Sequence, residues 1–428
     1  MKWVGRLSRP ARAVLSISTA TAAGQLVVVA ASPLLTRLYT PRDLGLLAVV
    51  TALVSALVPI MSMRLELAIP LPPDEDDAQS LAGAALVSCL GFTVVCTVAA
   101  LLLADQIADL LGDPALAQLL WAVPLIAAAT AGYLVLNQLA IRHRRYRAVA
   151  RRNLVMSVST VFVQLLAGLA SLRASGLVLG LGVGRSAGLA ALLAGSGLGA
   201  ARLRGATTWT AMRDVVSSYR RFPLMLAPAG LLNVLGLQAP VLMMAALYGT
   251  DEAGWLGLTQ RVLALPVTLI GMAVAQVFLG EFSDSIRSGG TRARRLFDAA
   301  TTRLLAVATV GAALLLALGP MAFAAIFGAE WQESGQFARA LALGLAAQLV
   351  ASPVSQTLIV LGHTGTQLLW DAGRLLLVVA VIAIAWAIGA EAITAMWWVG
   401  LSQLLTYAGG WLLSRRAIGR HRPISGGE

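Results

Sequence analysis

Hydrophobic positions along this chain do not fall into stripes; they gather into twelve near-continuous runs, each of roughly 20 to 26 residues, separated by short polar connections. The runs cover 13–36, 43–63, 81–104, 117–140, 153–172, 176–199, 223–248, 255–280, 304–327, 337–360, 368–390 and 391–413. A bilayer core of about 30 Å takes about 20 helical residues to cross, and only an internally hydrogen-bonded helix or a closed barrel can cross it. These runs are too long for barrel strands. The pattern therefore predicts an all-α polytopic membrane protein with twelve transmembrane helices.

Composition sharpens this reading. Of 428 residues, 58% are hydrophobic and 12% charged, with a mean hydropathy of +0.80, whereas a soluble chain carries about 25% charged residues. The net charge of +12 raises the question of nucleic acid, and its placement answers it. Of the 32 basic residues, 25 lie in the N-terminal tail, the even-numbered connections and the C-terminal tail. Only Arg37, Arg42, Arg173 and Arg339 lie at odd-numbered ones, and Arg185, Arg261 and Arg374 fall within spans. Because Lys and Arg are retained on the cytoplasmic side, both termini are expected there. The basic clusters at 142–152, 201–221, 287–295 and 414–422 read as topology signals against anionic lipid, with no nucleic-acid motif beside them. The N-terminus reads as a retained first helix, since its apolar part is too long for a signal peptide. Connections 200–222 and 281–303 have the spacing of short helices lying on the membrane surface.

Comparison of the chain with itself gives its organisation. LYTPRDLGLL at 38–47 and LYGTDEAGWL at 247–256 align without gaps, pairing Tyr39 with Tyr248, Asp43 with Glu252 and Gly45 with Gly254. Each segment joins the first and second helix of a half. Six spans per half is an even number, so the halves enter the membrane in one orientation as a parallel repeat. The expected lobes are 1–205 and 206–428, related by a pseudo-twofold axis, with a central cleft between them. Pro223, Pro228 and Pro240 make the seventh span the expected bent helix.

Ionisable residues inside a membrane cost about 2.5 to 3.5 kcal/mol each on insertion scales and so face a cavity or a partner. Arg185 lies near the middle of span six, Arg261 two turns into span eight, and Arg374 two turns into span eleven with Asp371 three residues before it. Arg64 and Glu66 flank one end of span two, and Arg37 the end of span one. If these arginines share one cleft, its passenger is an anion, because guanidinium suits phosphate through paired donors. Asp371, Glu66 and Glu281 are the acidic candidates for charge pairing or ion coupling; whether H+ or Na+ drives transport is left open. Scarcity of deep carboxylates disfavours a cation-coupled drug or metabolite antiporter. No metal or cofactor is expected: the three histidines lie in or beside loops, and no phosphate-binding glycine loop occurs. A membrane glycan ligase or polymerase would need a large external loop, and the longest external connection runs only from 105 to 116.

SPLLTRLYTPRDLGLLAVV (32–50), RLELAIPLP (64–72), the long stretch 220–284 and FGAEWQESGQFARALAL (327–343) resemble the polysaccharide-transport flippases of the multidrug/oligosaccharidyl-lipid/polysaccharide exporter superfamily. The resemblance implies twelve helices in two lobes in the bacterial cytoplasmic membrane. It also implies transfer of undecaprenyl-diphosphate-linked glycan from the cytoplasmic to the periplasmic leaflet by a protein that is not an enzyme. Its partners would be the lipid-linked glycan, membrane lipids and other glycan-assembly membrane proteins. Under that implication Arg261, in LTQRVLALP, and Arg64 lead as contacts to the diphosphate or to acidic sugars, followed by Arg185, Arg374 and Arg37.

Overall fold

A computed structural model describes residues 9–196, 208–287, 292–360 and 364–420. Among the described residues there are fourteen α-helices and no strand. They are α1 (Arg9–Leu38), α2 (Pro41–Met61), α3 (Glu75–Leu102), α4 (Ala104–Leu110), α5 (Ala122–Arg142), α6 (Tyr146–Leu169), α7 (Arg173–Ser196), α8 (Trp209–Ser218), α9 (Ala227–Tyr248), α10 (Thr250–Arg287), α11 (Ala293–Phe327), α12 (Gln332–Val360), α13 (Thr364–Ala387) and α14 (Ala392–Arg420).

Every expected span overlaps one of these helices, and residues 197–199 of the sixth lie outside the described residues. Among the described residues, eleven helices are long and apolar enough to cross a membrane. The segment expected as the twelfth, 391–413, is helical within α14 but is not among those eleven. Ser402, Gln403, Thr406 and Tyr407 lower its hydropathy while facing neighbouring helices, where Ser402 and Tyr407 are buried. The exposed surface of α3 is apolar, with Leu90, Val94, Val95 and Leu101 all more than 60% exposed, as a lipid-facing helix requires.

Two compact units result, residues 1–254 and 255–428. In the first, α6 packs against α1 and α7, α2 against α5 and α9, and α3 against α5. Leu65, Ile69, Leu81, Leu136, Leu139 and Leu192 fill one core, and Val215 of α8 closes it. Helix α8 has Trp209 exposed and Val215 buried, the short surface helix expected within 200–222. No such helix forms in the described part of 281–303: α10 runs on to Arg287 and α11 begins at Ala293, each extending a membrane helix. The seventh span opens with a π turn over Phe222–Leu226, in which the Ala227 N–H reaches the Phe222 carbonyl. Pro228 has no N–H for residue 224, so the ladder resets there.

Glycine sets how closely these helices approach. Gly176, Gly180, Gly184 and Gly188 recur every fourth residue on one face of α7, against Ala167, Gln164, Thr160 and Met156 of α6. A Cβ at Gly184 would collide with Thr160 Oγ1, and one at Gly188 would lie 3.1 Å from Met156 Cβ. In the second unit, Gly319 and Gly335 do the same between α11 and α12, and Gly344 and Gly400 between α12 and α14. Lipid is as apolar as leucine, so close backbone contact replaces the hydrophobic effect as the force joining helices.

The α1–α2 turn is built from the repeated motif. Thr40 and Asp43 form a capping box at the start of α2, and the second Asp43 oxygen accepts from Ala174 N of α7 at 3.0 Å. Tyr39 Oη donates to Gln164 O of α6 at 2.6 Å, and burial, with Asp43 beside it, pushes its pKa up to about 12. Gly45 packs on Thr250, and Gly254 packs on Pro41. Since Pro41 and Thr250 are themselves equivalent in the alignment of 38–47 with 247–256, the contact is reciprocal. Arg42 grips Asp113 through Nε at 2.8 Å and Nη2 at 2.7 Å, and Ala115 N donates to the same carboxylate. Those Arg42 bonds, against the opposing effect of burial, hold Asp113 below its ordinary range.

Two outcomes follow from this packing. Gly184→Val should destabilise the purified protein by about 1 to 3 kcal/mol through overpacking. Gly91→Val, where nothing lies within 4 Å of the added Cβ, should not; equal melting points for the two would refute the glycine contact. Asp113 has a lowered folded pKa, so its stabilisation is fully present above about pH 4 and is lost as pH falls through the folded value. Asp113→Asn should therefore flatten the loss of melting temperature between pH 5 and about pH 2, and an unchanged slope would rule this pair out as its source.

Candidate functional site

Helix α6 carries polar side chains on one face, with Asn153, Ser157, Thr160 and Gln164 at spacings of four, three and four. Asn153, Ser157 and Gln164 are buried, and Gln164 Nε2 donates to Leu177 O of α7 at 3.0 Å. At the head of this row stands Arg152, only 8% exposed. Sequence reasoning placed it in a cytoplasmic basic cluster. Helix α6 instead starts at Tyr146, which carries Arg152 nearly two turns inside the helix and turns it into the unit.

Arg152 lies over the Tyr133 ring of α5, 4.4 Å from its centroid, and its Nη2 donates to Asn153 Oδ1. Asn153 Nδ2 donates in turn to Thr21 Oγ1 of α1 at 2.8 Å. Arg185, on α7, reaches the same tyrosine from another helix: its Nη1 donates to Tyr133 Oη at 2.9 Å and to Met156 Sδ at 3.4 Å. Its guanidinium stands 5.8 Å from that ring's centroid. The ion pairs among the described residues engage Arg42, Arg64, Arg142, His143, Arg374 and Arg415, but neither Arg152 nor Arg185. The Nε atoms of both are buried without an acceptor. The signal that could have found Arg152 was the polar row, whose first member, Asn153, is its neighbour in sequence.

The other expected residues lie in separate surroundings. Arg64 follows the end of α2, with Met63 and Arg64 both left-handed at φ 51° and 56°. Such backbone costs on the order of 1 to 3 kcal/mol per residue. It turns the guanidinium against Gly230 of α9, where a Cβ would lie 2.5 Å from Nε and 2.7 Å from Nη2. Glu66, 2% exposed, lies 3.7 Å from Arg64 Nη1, and its Oε2 is buried without a partner. Arg261 on α10 is half-buried and has no ion pair among the described residues. Arg374 is buried on α13, donates to Tyr407 Oη at 3.0 Å and pairs with Asp371 at 3.5 Å. Trp370 and Tyr407 flank it, with centroids at 5.3 and 5.9 Å. Arg37 and Glu281 are exposed. The described contacts thus join Arg64 to Glu66 and Arg374 to Asp371, and bring Arg185 and Arg152 to one tyrosine.

One basic cluster has a structural task. Arg142 at the end of α5 pairs with Glu75 at 3.0 Å and donates to the carbonyls of Ile69, Pro72, Pro73 and Asp74. His143 meets the same Glu75 at 2.7 Å. The α2–α3 connection carries only a short 3-10 turn at Leu65–Leu67, and this guanidinium satisfies carbonyls that follow it.

Comparison with known proteins places these observations in a group. A family model described as "Polysaccharide biosynthesis protein" matches residues 34–336. The succinoglycan biosynthesis transport protein ExoT of Rhizobium meliloti (strain 1021) is 24% identical over 390 residues, covering 90% of this chain and 76% of that protein. Among solved structures, the lipid II flippase MurJ in an inward closed conformation superposes with a TM-score of 0.76 at 11% identity, over 94% of this chain and 87% of that one. A transporter of the MOP superfamily from Pyrococcus furiosus, described by the reverse polarity of its binding pocket, gives 0.64 at 14% identity over 96% of each chain. The fold is that of MOP-superfamily transporters.

Proposed function

The chain belongs to the polysaccharide biosynthesis protein family, and from that premise we propose that it is a flippase for undecaprenyl-diphosphate-linked oligosaccharide, moving it from the cytoplasmic to the periplasmic leaflet of a bacterial inner membrane. The observation that carries this reading is the imbalance of charge within membrane helices. Arg152, Arg185 and Arg261 lie there without an ion-pair partner among the described residues. An intramembrane cation left without its own carboxylate is suited to an anion that arrives from elsewhere. A diphosphate offers acceptor oxygens in the geometry that guanidinium forks match. The names of the relatives support the substrate class: ExoT is a transport protein of succinoglycan biosynthesis, and MurJ is a flippase of lipid II.

In this reading residues 1–205 and 206–428 are the two lobes of a parallel repeat, both termini are cytoplasmic, and transport proceeds by alternating access. The polar headgroup enters among the arginines while the polyprenyl tail stays in lipid. Arg261 and Arg64 hold the diphosphate, and the left-handed backbone at Met63 and Arg64 aims the second of these at the seventh span. Asp371 and Glu66, each beside an arginine, serve as charge partners.

Depletion of the protein should cause lipid-linked sugars to accumulate on the inner leaflet, read by leaflet-selective labelling. Restoring the wild-type chain should clear them. Arg261→Ala should restore inserted protein to the same amount but lower translocation at least tenfold. Absence of accumulation on depletion would overturn the flippase reading, and full rescue by the variant would remove Arg261 from it.

A further inference from the structure

The neighbourhood of Tyr133 is rich in donors and poor in acceptors. A guanidinium has five N–H donors and no acceptor, and it keeps its charge at any physiological pH. Arg185 spends Nη1 on the Tyr133 hydroxyl and on Met156 sulfur, and Arg152 spends Nη2 on Asn153. Both Nε–H groups are buried and unanswered. The Tyr133 oxygen already accepts from Arg185, which leaves its own proton to donate. Asn153 uses one amide proton on Thr21 and keeps the other.

Two like charges packed around one ring also repel, more strongly as water is excluded. The aromatic face offsets part of this but supplies no lone pair to the two Nε–H donors. Thr21, Tyr133, Arg152, Asn153 and Arg185 come from four helices, α1, α5, α6 and α7. Close glycine contacts hold three of these together: Gly24 meets Ser157 and Asn153, and Gly188 meets Met156 and stands 3.6 Å from Arg152 Cγ. The helices that carry the arginines are therefore held together by packing before any ligand arrives.

We propose that Arg152 and Arg185, with Tyr133 between them, form an oxyanion site that supplements Arg64 and Arg261. It takes one phosphate or one carboxylate group, whose oxygens accept the two Nε–H donors and neutralise the pair. Which molecule carries that group rests on the flippase reading: the diphosphate of the lipid carrier, or the carboxylate of an acidic sugar. The site itself stands on the donor count and the burial.

The test uses the full chain in nanodiscs of phosphatidylcholine, titrated calorimetrically with inorganic pyrophosphate and, separately, with glucuronate. The wild type should bind at least one of them, and Arg152→Gln and Arg185→Gln should each weaken that binding at least tenfold. Tighter binding of pyrophosphate identifies the carrier diphosphate as the source; tighter binding of glucuronate identifies the sugar. Should Arg152→Gln fail to insert, Arg152→Lys keeps the charge but loses the fork, and it should bind several-fold more weakly than wild type. Failure of the wild type to bind either probe, or unchanged affinity in the variants, would overturn the site. Neither result touches the depletion experiment, which judges the flippase reading on its own.

Discussion

Close approach of α6 to α7 along Gly176, Gly180, Gly184 and Gly188 is the contact on which the first unit depends. In water a helix pair is joined by excluding solvent from apolar faces. In lipid that force is absent, and what remains is dispersion at short range and hydrogen bonds between polar groups. Both need the backbones close. The glycine ridge brings Gln164 within bonding distance of Leu177 O. It also sets Arg152 of one helix and Arg185 of the next around one tyrosine. A wider interface would separate the two cations from the tyrosine that orients both.

Arginines in this protein divide by what answers them. Arg142 and Arg42 have carboxylates and serve connections between helices, where they tie down chain outside the long helices. Arg374 has both a carboxylate and two aromatic faces. Arg152 and Arg185 have a tyrosine, an amide and a thioether, which orient a guanidinium without cancelling it. Arg415 too has a buried Nε without an acceptor although it pairs with Asp298, so what sets Arg152 and Arg185 apart is the lack of an ion pair among the described residues rather than the unanswered Nε.

Helix positions were legible in the sequence because membrane spans are read from length and hydropathy, which need no tertiary knowledge; the ends of α2, α5 and α9 lie within a few residues of expectation. Arg152 was not legible for the same reason. Hydropathy places the start of the fifth span after the last basic residue, at 153, but a helix can begin in the headgroup region and carry charge inward with it. Arg142 was obscured differently: its four carbonyl partners belong to a connection some 70 residues away, and no local pattern announces that. The surface helix expected within 281–303 failed in its described part because spaced basic and apolar residues fit the end of a long helix as well as they fit a short one.

The two matching segments, 38–47 and 247–256, use their equivalent residues differently. Tyr39 is bonded to Gln164 O, whereas its counterpart Tyr248 has a buried hydroxyl with no partner among the described residues. Asp43 caps its own helix and also holds Ala174 N, a task tied to α7. These side chains have diverged in use although their identities match or nearly match. The glycines have not. Gly45 lies against Thr250 and Gly254 lies against Pro41, so each helix start is the wall that the other must fit. A side chain at either position strikes the backbone of the opposite segment, and a shift that relieved one collision would have to move both. A contact that is reciprocal in this way restrains both helix starts at once, and glycine stands at both positions because neither start leaves room for a Cβ.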